Sequence, residues 1–235
     1  MIFIVLYCMA AFFALLAAVY LLWRRGNAFA DNVRSSRVLR RWTAALMATI
    51  VGSHVWWYVI GTWWLADDWL VRTITVIMFD QATLVPLVMA VLLAMLQDRR
   101  RPLWPWLLAQ VPVVVFGVIG IVQRDWFYGN TLPHYYQLAV VIVFITYYIY
   151  ALRKYGRWLL DNYADLDHKE VWQSLLFALG LLVVYELYTT NAGELAKEYL
   201  SQVITLIIID FLVWRVETLQ ELDTEENKMT TNKKY

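Results

Sequence analysis

The chain is a succession of long apolar stretches separated by short polar segments. A helix that crosses about 30 Å of hydrocarbon, at about 1.5 Å per residue, needs roughly 20 mostly apolar residues. Seven stretches meet this requirement: residues 2–23, 42–66, 69–97, 103–122, 136–152, 171–190 and 195–214. They are apolar all round and do not alternate with period two, which argues against a transmembrane barrel. The pattern predicts an all-α, polytopic membrane protein with a seven-transmembrane-helix bundle.

Basic residues fall unequally on the two sides of such a bundle. With seven alternating spans, seventeen Lys and Arg residues lie on one side, and only Arg72, Arg124 and Lys197 lie on the other. Basic residues collect on the cytoplasmic side of short loops. We therefore expect the N-terminus outside and the C-terminus inside, in the bacterial cytoplasmic membrane.

Composition agrees with this class and removes several others. The chain has 235 residues, of which 61% are hydrophobic and 17% charged, and soluble domains are less apolar and more highly charged. The net charge of +1 gives no argument for direct nucleic-acid binding. The single cysteine, Cys8, permits no internal disulfide. This apolar composition indicates that the lipid bilayer is a partner of the chain.

The cytoplasmic stretch 155–170 is too polar to cross a membrane. Its apolar residues recur at helical spacing, which predicts an interfacial helix. Its acidic residues lie on the side that carries most arginines, so ion pairs between loops are available. The candidate loop contacts are Asp161, Tyr163, Asp165 and Asp167.

The seventh span is expected to continue as a helix into the cytoplasm. Residues 212–222 contain no Gly or Pro and keep an apolar seam at three-to-four spacing. We interpret this stretch as an output segment, with Arg215, Glu217, Leu219 and Leu222 as its candidate residues. The transmembrane domain then covers residues 1–222, and the polar tail 223–235 is expected to be disordered.

Two cytoplasmic segments carry a resemblance to a known family. DNYADLDHKEVWQSL after the fifth span and FLVWRVETLQEL leaving the seventh resemble the N-terminal seven-transmembrane module of bacterial membrane-tethered regulators. In those proteins the spans precede an AraC-type helix-turn-helix domain or a sensor histidine-kinase region. This chain ends before any such domain. The resemblance therefore implies signalling by association with a partner, a truncated chain or a degenerate copy.

Ionisable residues at bilayer depth are the candidate site, since each costs about 2.5–3.5 kcal/mol to insert. His54 and Asp80 lie at matching distances from the turn between spans two and three, which predicts a buried pair with Gln81 beside it. Either a sensing role or a structural clasp between helices fits this pair.

The aromatic residues near the outer side extend this candidate site. Glu186 with Tyr185 near the outer end of span six, and Trp57 in the outer aromatic cluster, would complete a ligand site. The alternative is an interfacial aromatic belt with Glu186 solvated. Asp210, near the inner end of span seven, is expected to be solvated or paired.

The sequence lacks the clustered metal ligands and the mid-span lysine that the enzyme and cofactor classes considered would need. His54, His134 and His168 fall at three different depths, so no metal site is expected. No cofactor is expected, because Lys197, at the outer mouth, does not suit a retinal Schiff base. We expect a non-enzymatic sensory or signal-relay module, with an unidentified small-molecule ligand and a cytoplasmic output protein or a second copy as partner. The alternative is a small-solute transporter or channel, since Pro86, Pro105 and Pro112 interrupt two spans.

Overall fold

All secondary structure in the described part of the chain is helical. A computed structural model describes residues 2–24, 34–65, 67–164, 166, 168–189 and 194–222. Within these ranges it describes all side chains except those of residues 62, 182–189 and 194–198. The α-helices are α1 (Ile2–Trp23), α2 (Arg37–Val59), α3 (Trp69–Met95), α4 (Trp104–Leu108), α5 (Val111–Gln123), α6 (Leu132–Asn162), α7 (Trp172–Thr189) and α8 (Glu194–Thr218). Two π-helical turns, Ile60–Trp64 and Phe127–Thr131, extend α2 and lead into α6.

Five helical stretches of the described chain are long and apolar enough to cross a membrane. They are Ile2–Trp23, Trp69–Met95, Trp104–Gln123, Phe127–Asn162 and Tyr199–Thr218. These stretches indicate a membrane-embedded protein. Helices α2 and α7 overlap the other two predicted spans but are not among the five. The part of α7 whose side chains are described, Trp172–Leu181, is apolar but shorter than a span.

Helix α6 is longer than predicted at both ends. The stretch between the predicted spans 103–122 and 136–152 is largely helical, because the π-helical turn Phe127–Thr131 runs directly into α6. The separate interfacial helix predicted over 155–170 is wrong. Helix α6 instead continues to Asn162, because Tyr155 and Leu159 are buried in the core and hold this stretch on the helix.

Helix α8 is shorter than predicted at its C-terminal end. It ends at Thr218, and the helix predicted to run to residue 222 is therefore wrong. The chain turns because Leu219 and Leu222 are buried in the core, with 0% and 2% exposure. The predicted disordered tail, 223–235, lies outside the described residues.

The fourth predicted span is divided in its N-terminal half. Helix α4 ends at Leu108, and α5 begins at Val111. Pro112 lies in the first turn of α5, where its missing N–H has no intrahelical acceptor to lose. Pro86, by contrast, lies inside α3 without ending that helix.

The contacts between helices define two ends of the bundle. The basic end comprises the C-terminal ends of α1, α3, α6 and α8 and the N-terminal ends of α2 and α7. The aromatic end comprises the opposite helix ends and the two π-helical turns. Helix α2 packs between α1 and α3, and α8 packs on α1 and α2. Helix α5 packs between α3 and α6.

The two ends are packed differently. The hydrophobic core cluster of the described chain extends from the middle of the bundle to the basic end, with Leu39, Met95, Tyr148 and Leu212 among its members. The aromatic end instead has a close backbone approach between α5 and the second π-helical turn. A Cβ atom added at Gly120 would lie 2.1 Å from the Cα atom of Gly129. Glycine is therefore required at position 120.

Candidate functional site

Asp80 on α3 is the acceptor of three hydrogen bonds from α2. Its Oδ1 atom accepts from Ser53 Oγ at 2.7 Å and from Trp56 Nε1 at 3.1 Å, and its Oδ2 atom accepts from Trp57 Nε1 at 2.7 Å. Positions 53, 56 and 57 share one helix face because they are three and four residues apart. This face presents its donors to a carboxylate within the apolar helix Trp69–Met95, and an uncompensated charge is costly in a helix that crosses a membrane.

His54 contacts different elements. Its Nδ1 atom lies 2.8 Å from the carbonyl oxygen of Ile50, and its Nε2 atom lies 3.0 Å from Oε1 of Gln202 on α8. The Tyr7 hydroxyl on α1 donates to the His54 carbonyl, and the two rings are 4.5 Å apart. His54 thus connects α2 to α1 and α8.

The predicted pair of His54 and Asp80 is not joined by a hydrogen bond in the described structure. The two residues do lie on neighbouring helices, as their matching distances from the turn predicted. However, successive positions on a helix project about 100° apart, so Ser53 faces α3 and His54 faces α8. Ser53 and the two tryptophans are the partners of Asp80.

The other predicted site residues have mixed placements. Trp57 contacts Asp80 directly. Gln81 is half-buried, and its Oε1 atom has no hydrogen-bond partner among the described residues. The side chains of Tyr185 and Glu186 lie outside those described. Asp210 is exposed and borders a groove of about 570 Å³ between α1 and α8.

A buried ion pair joins the end of α8 to the start of α2. Arg40 Nη1 lies 2.6 Å from Glu217 Oε1, and the two side chains are 7% and 0% exposed. The Arg40 guanidinium also donates to the Leu21 and Arg24 carbonyl oxygens and to Ser35 Oγ. These bonds compensate the charge that burial removes from water. Residues from α1, α2 and α8 therefore meet at one guanidinium.

The four residues after α8, which we name the exit segment (219–222), are bonded to three other parts of the chain. The Gln220 amide donates to the His168 carbonyl at 2.8 Å, and the Glu221 amide donates to the Arg34 carbonyl at 2.6 Å. The Gln97 side chain accepts from the Leu222 amide at 2.8 Å and donates to the Gln220 carbonyl at 2.9 Å. The exit segment is therefore positioned by the residues that precede α2, the residues that follow α3 and the connection between α6 and α7.

The remaining candidate residues lie near this region. Arg215 is buried and donates to the Glu170 carbonyl. Tyr163 packs against the core, and the Lys169 ammonium lies 5.6 Å from the centre of its ring. Asp161 is exposed and makes no ion pair with any described residue, so it does not form the predicted loop contact. Asp165 and Asp167 lie outside the described residues.

Sequence reasoning missed the pairing of Arg40 with Glu217 and the role of Gln97. Arg40 and Glu217 are 177 positions apart, and periodicity indicates the face of a helix but not which helix it meets. One signal was present: Glu217 is an acid inside an otherwise apolar seam, and a buried charge requires a partner.

The aromatic residues divide into two groups. Trp56 and Trp57 are half-buried at Asp80, whereas Trp63 and Trp64 are 77% and 72% exposed. Exposure of the second group is typical of an interfacial belt. Within the part of the chain that the structure describes, no cluster of three His, Cys, Asp or Glu residues is arranged to hold a metal ion.

Comparison of this chain with protein families, curated proteins and solved structures finds no match.

Proposed function

We propose that this protein is a membrane-embedded signal-relay module of a bacterial cytoplasmic membrane, with seven spans, the N-terminus outside and the basic end in the cytoplasm. The observation that carries the proposal is the attachment of the exit segment to α2, α3 and the connection after α6. A displacement of these elements would displace the chain that leaves α8. An outer or intramembrane stimulus, such as a small-molecule ligand, would then reach a cytoplasmic partner protein or a second copy.

The intramembrane polar cluster supports the same proposal. Asp80 is bonded to Ser53, and the adjacent His54 is bonded to Gln202 of α8. A ligand that changes the spacing of α2 and α3 would therefore act on α8, which carries Glu217 in its last turn. Switching requires a ligand that binds one of two arrangements more tightly.

The test measures whether a change at Asp80 alters exposure of the exit segment. Leu222→Cys in a Cys8→Ser background places a thiol at a buried position, and its alkylation by a water-soluble maleimide reports release of that segment. We expect Asp80→Asn to raise the alkylation rate about fivefold, the lower range of allosteric coupling. Thr83→Val is the matched control, because the Thr83 hydroxyl is bonded only to the Phe79 carbonyl of its own helix.

A second reporter separates relay from general loosening. Leu159→Cys places a thiol at a buried position of α6 at the same end. The proposal requires a faster reaction at position 222 and an unchanged rate at position 159. Equal acceleration at both positions, or none at 222, would reject it.

A small-solute transporter or channel is the second candidate. It is favoured by the Asp80 carboxylate at membrane depth, together with Pro86 in the same helix and the division between α4 and α5. Its test is proton flux into proteoliposomes, followed with an enclosed pH-sensitive dye under a potassium diffusion potential. Flux that Asp80→Asn abolishes would support the transporter, and absence of flux would favour the relay.

A further inference from the structure

A cavity of about 410 Å³ opens at the basic end between the start of α2 and the end of α3. Its walls include the apolar side chains of Trp42, Leu93 and Leu103, and three consecutive arginines, Arg99, Arg100 and Arg101, border it. The cavity therefore combines an apolar wall with a cationic rim.

The arginines of this rim have different roles. Arg101 Nη2 lies 2.7 Å from Asp98 Oδ1, and its Nη1 donates to the Leu96 and Arg99 carbonyl oxygens. Arg101 thus neutralises the nearby acid and fixes the loop. Arg99 and Arg100 are exposed, and their guanidinium groups make no hydrogen bond or ion pair with any described residue. Two positive charges remain available to a ligand.

The start of α2 adds neutral donors to the same cavity. Ser36 lines the cavity, is only 7% exposed, and makes no side-chain hydrogen bond with a described residue. It is the N-cap residue of α2, but its hydroxyl does not cap the helix. The first amides of a helix have no intrahelical acceptor, and this helix end attracts anions.

We propose that this cavity binds the headgroup of an anionic phospholipid. The phosphate group would lie between Arg99, Arg100 and Ser36, and the acyl chains would cover Trp42, Leu93 and Leu103. A free phosphate ion would satisfy the rim but leave the apolar wall uncovered, whereas a phospholipid matches both. Basic pockets between transmembrane helices are suited to anionic headgroups.

The test compares lipid binding by the purified full chain in a neutral detergent. Native mass spectrometry would follow titration with phosphatidylglycerol and with phosphatidylcholine of the same acyl chains. We expect phosphatidylglycerol to bind the unmodified protein at least about tenfold more tightly, given the two free arginines. Equal affinity for the two lipids would overturn the proposal.

Charge-matched variants locate the site. Arg99→Gln with Arg100→Gln should remove the preference for phosphatidylglycerol. Arg153→Gln with Arg157→Gln removes two exposed charges from α6 at the same end and should preserve it. All four substitutions are at exposed positions, and monodisperse elution of each variant verifies its fold. If the two double variants lose the preference equally, general surface charge explains it and the proposal fails.

Competition distinguishes a lipid from a soluble phosphate. Glycerol 3-phosphate carries the phosphate group without acyl chains. It should leave bound phosphatidylglycerol in place at equal concentration, because it cannot cover the apolar wall. Displacement at equal concentration would identify a soluble-phosphate site and overturn assignment to a lipid.

Discussion

The two ends of the bundle each have an ion pair between residues distant in sequence, and the two pairs differ in burial. At the basic end, the side chains of Arg40 and Glu217 are 7% and 0% exposed. At the aromatic end, Arg124 and Asp68 are 2.8 Å apart, with side chains 74% and 29% exposed. The separations are similar, but water solvates only the second pair well. The first pair therefore depends on protein hydrogen bonds, and it fixes how α2 meets α8.

The largest expected effect comes from removing one partner of the buried pair. Arg40→Met or Glu217→Leu should each lower the free energy of unfolding by about 3–5 kcal/mol, because the remaining charge stays buried without its opposite charge. Unfolding in mixed detergent micelles with increasing dodecyl sulfate measures this. The double variant should lose much less than the sum of the two single losses.

Arg41→Met is the matched control for this comparison. Arg41 is adjacent to Arg40 and exposed, so its substitution should change stability by about 0.5 kcal/mol or less. A loss of similar size for Arg40→Met and Arg41→Met would show that burial does not distinguish the two ends.

The aromatic end should be sensitive to backbone spacing rather than to charge. Gly120→Ala should destabilise the protein by about 1–3 kcal/mol, because the added methyl group overlaps the backbone of Gly129. Gly156→Ala in α6 meets nothing within 4 Å and should be neutral or stabilising by up to about 1 kcal/mol. Thermal unfolding in detergent measures both. The same effect for both alanines would contradict a close packing at position 120.

The polar contacts between the two ends should show a smaller coupling. A double-mutant cycle of His54→Leu and Gln202→Leu should give about 0.6 kcal/mol, the average for hydrogen bonds between membrane helices. The matched cycle of His54→Leu and Asp80→Leu should give less, because no hydrogen bond joins this pair in the described structure. Stronger coupling of His54 to Asp80 than to Gln202 would restore the pair predicted from sequence.

The smallest effect is expected at the exposed ion pair. Arg124→Gln should change stability by about 0.5 kcal/mol or less, because the charges are solvated and salt screens them. The difference from the unmodified protein should disappear at high salt. A salt-independent loss of several kcal/mol would place this pair in the same class as Arg40 and Glu217.

Sequence patterns predicted the helices better than their ends. Apolar length located α1 and α3 within two residues of their observed bounds. The end of α8 could not be found in this way, since the seam through Leu219 and Leu222 fits both a continuing helix and a buried turn. Contacts with Arg34, Gln97 and His168 decide between these two, and all three are remote in sequence.

Spacing along the chain predicted which stretch of α2 lies beside Asp80, but not which side chains form hydrogen bonds with it. Spacing from the turn placed the right stretch of α2 beside Asp80, but it gave no information on rotation about the helix axis. One residue of difference, Ser53 or His54, changes the facing helix from α3 to α8. Trp56 and Trp57 donate the other two hydrogen bonds to Asp80. Their tryptophan side chains were equally consistent with an interfacial aromatic belt, so the sequence alone did not assign them to Asp80.

The length of α6 has a consequence for the membrane arrangement proposed above. Its 31 residues extend about 46 Å, some 16 Å more than the hydrocarbon thickness. Irregular backbone is not tolerated in contact with lipid chains, so in that arrangement the non-helical residues that follow Asn162 and Thr218 would lie outside them. In the membrane arrangement proposed above, the last turns of α6, held by Tyr155 and Leu159, would act as a spacer that keeps the exit segment in the headgroup layer. A thicker bilayer would draw this spacer inward. Hydrophobic mismatch would then pull on the hydrogen bonds that hold the exit segment.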